Sequence, residues 1–328
     1  MLRMRQFAAM AGLAAMEAWR QPIFVLLTTT AVALTTLCPL LMLFHFGEEG
    51  KLARDSGLAF QFLFGLLVAV HGACRTLSGE MGEGTASAVL SKPVGRAAFF
   101  LAKFAGLVAV LCLFSLCTGL ATLLSARISE KFSASAGLFG YVTDWQTDNM
   151  LLAAPCLALA GAALLNYLKR RPFGSTASAL LLVAVLAVLI IAGFFDRSGM
   201  PARYDLQVHW RLVPASALVL LALVVLAAFT LGLSTRFGPV PTLAFSLGIF
   251  ALGLISDHLF GRAAAGSAPA AVLYALLPNW QHFWVSDGLD NGGAIPAGYV
   301  LRAAAYAATC AAGALCLGVL SFRHADMK

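Results

Sequence analysis

The residues that would carry chemistry in this 328-residue chain are few and far apart. Gly47–Lys51 (GEEGK) is the nearest approach to a phosphate-cradling loop. It lacks both the GxxxxGK[ST] spacing and the hydroxyl that would hold magnesium, so the chain does not bind ATP this way. No HExxH, GxSxG or CxxC occurs. His71 and Cys74 stand one helical turn apart, a two-ligand geometry that makes no metal centre without further donors. Cys38, Cys74, Cys112, Cys117, Cys156, Cys310 and Cys316 all lie in or at the ends of apolar runs. They read as small hydrophobes rather than disulfides or a cluster.

The elements around these residues are dictated by composition. The chain is 60% hydrophobic and 11% charged, against about 45–50% and roughly 25% in soluble domains. That excludes a water-soluble globule and a disordered chain, and leaves an all-α polytopic membrane protein. A spanning helix needs about 20 mostly apolar residues. Eight stretches qualify, at 22–46, 57–75, 101–125, 149–168, 177–195, 213–235, 241–260 and 299–322. Residues 263–284, with Pro269, Pro278, Asn279 and two Trp, read as a re-entrant or surface-lying segment on the outer side. Residues 1–21 form a loosely amphipathic helix, with Arg3, Arg5 and Arg20 around Phe7, Met10 and Leu13. Such a helix lies in the headgroup plane, and the apolar run after it is too long for a signal peptide.

Charge sets the orientation. The chain has 22 Lys+Arg and 15 Asp+Glu. With the N-terminus inside, the inner segments hold Arg3, Arg5, Arg20, Arg75, Lys92, Arg96, Lys103, Lys169, Arg170, Arg171, Arg236, Arg323 and Lys328. Their only acids are Glu17, Glu80, Glu83 and Asp326. The excess of basic residues therefore lies in short inner loops, which places both termini in the cytoplasm and the chain in the cell's inner membrane. It calls for no nucleic-acid partner. Trp19, Trp145, Trp210, Trp280 and Trp284 fall near span ends or in the loops between them.

Within the spans the polar residues are sparse. His45, His71, Lys103, Asp257, His258 and Arg302 lie within a turn or two of a span end, and Asn166 lies near the inner end of the fourth span. No acidic relay crosses the bilayer, as a proton-coupled carrier would require, so the energy source lies outside this chain.

The most structured loop is Arg75 to Lys103, between the second and third spans. Gly79, Gly82 and Gly84 break the incoming helix. Thr85 caps a short helix, Ala86–Leu90, that Lys92-Pro93 stops, and Gly95-Arg96 open the next span. Val89 and Leu90 are apolar knobs, with Glu80 and Glu83 on one flank and Lys92 and Arg96 on the other. Composition leaves two readings open: a helix that docks in a groove of a soluble partner, or an ordinary polar loop.

Met81-Gly82-Glu83-Gly84-Thr85, Val89-Leu90-Ser91-Lys92-Pro93-Val94, Arg96 and Phe99 to Phe104 resemble the E-x-G-T…L-L-S-x-P-[VI]-x-R…F…[GA]-K signature of ABC-2 type transporter permeases. The likeness is to the branch that includes the copper-maturation (nitrous-oxide-reductase accessory) permease. Leu231–Phe237 with Pro239, Tyr274–Asn279 and Phe322–Asp326 are similar to later parts of that family. The resemblance implies a dimeric permease, with a second identical or related copy, each docked on a separately encoded soluble P-loop ATPase that carries the ATP and magnesium. It implies no cofactor, metal or catalytic residue in this chain. It assigns coupling to segment 76–100, through Glu80, Glu83, Gly84, Thr85, Val89, Leu90, Pro93 and Arg96. The family's membrane domain has six spans, so 149–195 reads as an extra hairpin around the turn Lys169–Pro172. The favoured function is an ABC exporter permease. The alternative is an ATPase-linked assembly, maturation or mechanical-signalling subunit that moves no small solute.

Overall fold

The chain is described here by a computed structural model, which covers residues 2–41, 49–79, 95–129, 132–133, 140–141, 144–261 and 266–323. The helices are α1 (Leu2–Trp19), α2 (Pro22–Leu41), α3 (Glu49–Ala73, continued by a π-turn at Cys74–Gly79), α4 (Arg96–Ser129) and α5 (Trp145–Lys169). They continue as α6 (Phe173–Phe194), α7 (Val213–Leu233), α8 (Pro239–Leu254), α9 (Ala268–Leu276) and α10 (Ala297–Arg323). A two-residue antiparallel pairing joins Phe132–Ser133 to Gly140–Tyr141. Seven of the described helices are long and apolar enough to cross a bilayer: 22–41, 49–77, 96–129, 145–169, 173–194, 210–233 and 297–323. The protein is a polytopic helical membrane protein, as composition required.

An eighth pass follows from geometry. Gln21, before α2, meets His71 near the end of α3. Arg96, opening α4, meets Arg323 at the end of α10. Thr235, after α7, meets Ser321. These contacts define one face of the bundle. The opposite face holds Arg54 with Asp290 and Arg127 with Asp144. Between residue 235 on the first face and residue 290 on the second the chain must cross once more, and α8 is the helix that does so. At 16 residues it is about 24 Å long, short of a hydrocarbon core of about 30 Å. The expected span 241–260 therefore differs from what forms, because the α-helix stops at Leu254 and a π-turn follows at Asp257–Gly261. The cause is at Gly253. A Cβ there would lie 2.3 Å from Pro278 O and from Trp280 Nε1, so the returning chain is pressed against the end of the helix.

That returning chain is the expected outer segment 263–284. Its α9 and the 3-10 turn Trp280–Phe283 fold back onto the bundle, with Trp280 and Phe283 buried. Trp280 is thus a core residue, whereas Trp145, Trp210 and Trp284 are exposed.

Two spans, α3 and α4, are longer than their purely apolar stretches, because charges at their ends are paired and remain helical. Lys51 and Arg54 extend α3 by pairing with Asp290, and Arg127 extends α4 by pairing with Asp144. The core is two side-chain clusters, one about Leu58, Leu124, Leu181 and Leu218, the other about Phe24, Phe100, Phe114 and Leu223. Helices α3, α4 and α7 contribute to both and form the axis of the bundle. On α10, Ala303, Ala307, Ala311, Ala314 and Gly318 are buried. A Cβ on Gly318 would come 3.2 Å from the Cα of Gly232 on α7, so small side chains allow near-backbone contact. The small-residue face of α10 is in this part a seam within one chain.

Hairpin α5–α6 sits at the edge. Its turn places Arg170 at φ 52 and is closed by Arg170 N–H donating to Asn166 O (2.9 Å) and Asn166 Nδ2 donating to Arg171 O (2.6 Å). Asn166 therefore serves the turn. The hairpin packs on α2 through Val25, Ala162 and Ala177.

Pro39 lies inside α2. Having no N–H, it leaves the carbonyl of Thr35 without its helical donor. Ser125 Oγ on α4 donates to that carbonyl at 2.8 Å, and both side chains are fully buried. Ser125→Ala is therefore expected to cost about 1–3 kcal/mol, the penalty of an unsatisfied buried acceptor. The same substitution is expected to cost much less in a Pro39→Ala background, where residue 39 regains its N–H. Thermal unfolding midpoints of the two singles and the double in one detergent check this, and equal losses in both backgrounds would contradict it.

Candidate functional site

Of the residues assigned to coupling, Glu80, Glu83, Gly84, Thr85, Val89, Leu90 and Pro93 lie outside the described residues. The structure describes the two ends from which that segment hangs, together with Arg96. On the incoming side the chain leaves α3 through the π-turn Cys74–Gly79. Cys74, Thr76 and Leu77 are buried, and Thr76 Oγ1 donates to Gly72 O at 2.7 Å. This end is fastened into the core.

On the outgoing side, α4 begins at Arg96 and buries Phe99 and Phe100 within its first turns. The Phe322 ring lies 6.1 Å from that of Phe99, stacked at 18°, and 5.9 Å from that of Phe100. Lys103 is also buried, with its ammonium 5.4 Å from the Phe99 ring centroid, within cation–π range. Its stem packs inward, where the sequence suggested a snorkelling residue. Arg96 Nη1 donates to Arg323 O at 2.8 Å. A cation at a helix C-terminus satisfies a carbonyl that has no helical donor and opposes the negative end of the dipole. The last turn of α10 is held from the other side as well. Thr235 and Ser321 hydroxyls are 2.8 Å apart, and Arg236 reaches Ser321 Oγ at 3.3 Å.

The same face gathers the remaining helix ends. His71 Nε2 lies 2.5 Å from Gln21 Oε1, and Trp19 Nε1 donates to Ser175 O at 3.2 Å. His71 is thus partnered by an amide, and among the described residues no group of three or more metal-ligating side chains forms. Helix α1 packs on α4 at Gly106, where a Cβ would lie 2.7 Å from both Ala11 O and the Ala14 Cβ. A segment suspended between Leu77 and Arg96 is thereby joined to α1, α3, α4 and α10 at one level of the bundle. Mechanically, the arrangement can transmit a displacement.

Two polar constellations on the opposite face were not singled out in the sequence. Arg127, buried, donates through Nε to Asp144 Oδ2 at 2.8 Å, through Nη2 to Phe195 O at 2.8 Å, and through Nη1 to Ala192 O. Asp144 in turn caps α5, accepting from Thr147 N at 3.0 Å. One ion pair therefore ties the ends of three helices. The readable signals were an Arg closing an apolar run and an Asp two residues before Gln146-Thr147, the spacing of an N-cap. In the second constellation, Lys51 Nζ lies 2.8 Å from Asp290 Oδ2 and 3.3 Å from Asp287 Oδ1, and Arg54 bonds Asp290 Oδ1 and Leu289 O. The Lys51 ammonium holds the Asp290 carboxyl below the usual carboxylate range. Asp257, read as a helix end, accepts from Tyr274 OH at 2.6 Å.

Arg127→Met is expected to cost about 3–5 kcal/mol, because it leaves a buried carboxylate uncompensated. Adding Asp144→Asn is expected to recover part of the loss, since Asn keeps the cap without the charge. Unfolding midpoints of the two variants decide it. For Asp290 the depressed folded value means that its contribution is complete above about pH 4, the unfolded carboxyl's range, and is lost as pH falls through the folded value. In a variant whose only tryptophan is Trp284, emission is expected to shift on acidification below that range. Asp290→Asn should already show the shifted emission at neutral pH.

Residues 3–162, just under half of the chain, match the family model described as ABC-2 family transporter protein. No curated protein and no solved structure matches. The matched region runs from α1 into α5, so it includes the whole of segment 76–100 and most of the first helix of the hairpin read as an insertion.

Proposed function

We propose that the chain is the permease subunit of an ABC transporter, working as an exporter and driven by a separate P-loop ATPase that engages segment 76–100. The observation that carries this reading is the ABC-2 family match over residues 3–162, on a helical bundle with at least seven helices able to span a bilayer. Permeases of this kind leave ATP hydrolysis to their partner, and Lys51, Arg54, Arg96, Arg127 and Asp144 are engaged in ion pairs, a cap and backbone bonds.

In this proposal the face holding Gln21, Arg96 and Arg323 is cytoplasmic, as the excess of Lys and Arg there favours. Glu80, Glu83, Gly84, Thr85, Val89, Leu90 and Pro93 meet the ATPase, and Arg96 passes the motion inward. Arg96 suits that role because its guanidinium is bonded to the end of α10 while its own helix buries Phe99 and Phe100 against Phe322. A push on segment 76–100 then moves the starts of α4 and α10 together. A second permease copy completes the transporter in the inner membrane. The narrower likeness to copper-maturation permeases rests on the signature from Met81 to Phe104.

The test is a mild-detergent pull-down of the tagged chain from its native cells, with identification of co-purifying soluble proteins and an ATPase assay. A P-loop ATPase is expected at stoichiometric yield. Glu83→Ala with Leu90→Asp is expected to abolish its stimulation while membrane insertion and the unfolding midpoint stay unchanged. A chain that purifies alone and stimulates no ATPase would refute the reading.

A further inference from the structure

A groove of about 360 Å³ lies between α3, α7 and α8 and is closed at one end by the returning segment. Its floor is Val219 and Ala222 of α7, both buried. One wall is Ala59 and Phe62 of α3, and the other is Phe250 and Leu254 of α8, each pair one helical turn apart. Trp280, Phe283 and Trp284 form the closed end. The aromatic rings are in mutual contact. Phe62 and Phe250 are 4.6 Å apart, Phe250 and Trp280 5.9 Å, and Trp280 and Phe283 6.3 Å. The indole N–H of Trp280 is already engaged with Ile249 O. The groove is built, since Gly253 must lack a Cβ for Trp280 to reach this position.

Three features define its occupant. Every lining side chain is apolar or aromatic, so water there has too few hydrogen-bond partners to be held. The volume falls in the range of about 300–1,000 Å³ typical of small-molecule sites, too small for a protein helix with its side chains. The mouth is also continuous with exposed apolar surface. Leu254 and Trp284 are themselves exposed, as are Leu63, Leu252 and Ile255 on the same two helices. In a polytopic membrane protein that surface is bathed in lipid tails, so the mouth opens sideways into hydrocarbon.

We infer that this groove binds one hydrocarbon chain of a membrane amphiphile, which enters laterally from the bilayer between α3 and α8. The bound chain lies along Val219 and Ala222 and against Trp280, and its headgroup stays at the membrane surface. Trp280 is shielded elsewhere and touches hydrocarbon through this groove. The inference is independent of the transport reading, since it concerns a site and not a cargo.

The test uses the full-length chain with Trp19, Trp145, Trp210 and Trp284 each changed to Phe, so that Trp280 alone reports. The protein is reconstituted in phosphatidylcholine vesicles with or without bromine on the acyl chains. Emission is expected to be quenched roughly two-fold or more by brominated chains, because a site of this type surrounds most of its ligand. Ala59→Phe, at the exposed wall, is expected to fill the groove and remove the quenching. Ala222→Leu does the same from the floor if the first variant does not fold. Trp280 emission that ignores brominated chains would overturn the inference, as would quenching unchanged by either filling variant. Absent quenching together with disulfide-linked dimers of a Leu254→Cys variant would assign the groove to a second copy of the chain, and would equally overturn it.

Discussion

In hydrocarbon there is no water to satisfy a polar group, and this constraint governs nearly every polar contact in the bundle. The buried hydroxyls show it most simply. Thr28, Thr29, Thr35 and Thr36 on α2 each donate to the carbonyl four residues earlier, as do Thr118 and Thr122 on α4. Where a side chain cannot be satisfied within its own helix, two helices do it together. Gln61, fully buried on α3, donates to Ser216 O at 3.1 Å, and Ser216 Oγ donates back to Gln61 Oε1 at 2.9 Å. Gly119 leaves room for it, because a Cβ there would lie 2.6 Å from Ser216 Oγ. These polar atoms are engaged by their own helix backbone or by a cross-link between α3 and α7.

The same rule explains which parts of the fold were legible in the sequence. Spans could be read because a run such as Phe173–Phe194 admits no other state in lipid. Their ends could not. Whether Lys51, Arg54 and Arg127 finish a helix or lie beyond it depends on Asp290 and Asp144, which are distant in sequence or across a loop. The shortness of α8 was hidden for a related reason. Apolar residues continue past Leu254, and only the return of Pro278 and Trp280 onto Gly253 ends the helix. Trp280 looked interfacial because tryptophan usually is, and its burial depends on that same contact.

For the candidate site, sequence and structure are complementary. The signature from Met81 to Pro93 was readable from spacing and turn chemistry. The geometry of its anchors was not. Nothing in the sequence pairs Arg96 with Arg323 or Phe99 and Phe100 with Phe322, because those contacts cross more than two hundred residues. Lys103 illustrates the cost of judging a residue by type alone. Two turns into α4 it is buried, its charge against the Phe99 ring, where position near a span end suggested a side chain reaching for water.

The family match ends at residue 162, yet the packing does not divide there. Helix α7 lies beyond the match and contributes to both core clusters, and it carries the serine that satisfies Gln61. Helix α10 closes on α7 through Gly232 and Gly318, and on α4 through Phe322. A rigid displacement of the start of α4 must therefore break the Arg96–Arg323 bond or carry α10 with it. Breaking it exposes a helix-terminal carbonyl and unstacks two buried rings. Moving α10 disturbs a seam of alanine and glycine together with the Ser321 bonds to Thr235 and Arg236 after α7. The start of α4, in the matched half, is thus tied to the end of α10, in the unmatched half, by Arg96 on Arg323 and by Phe99 and Phe100 on Phe322.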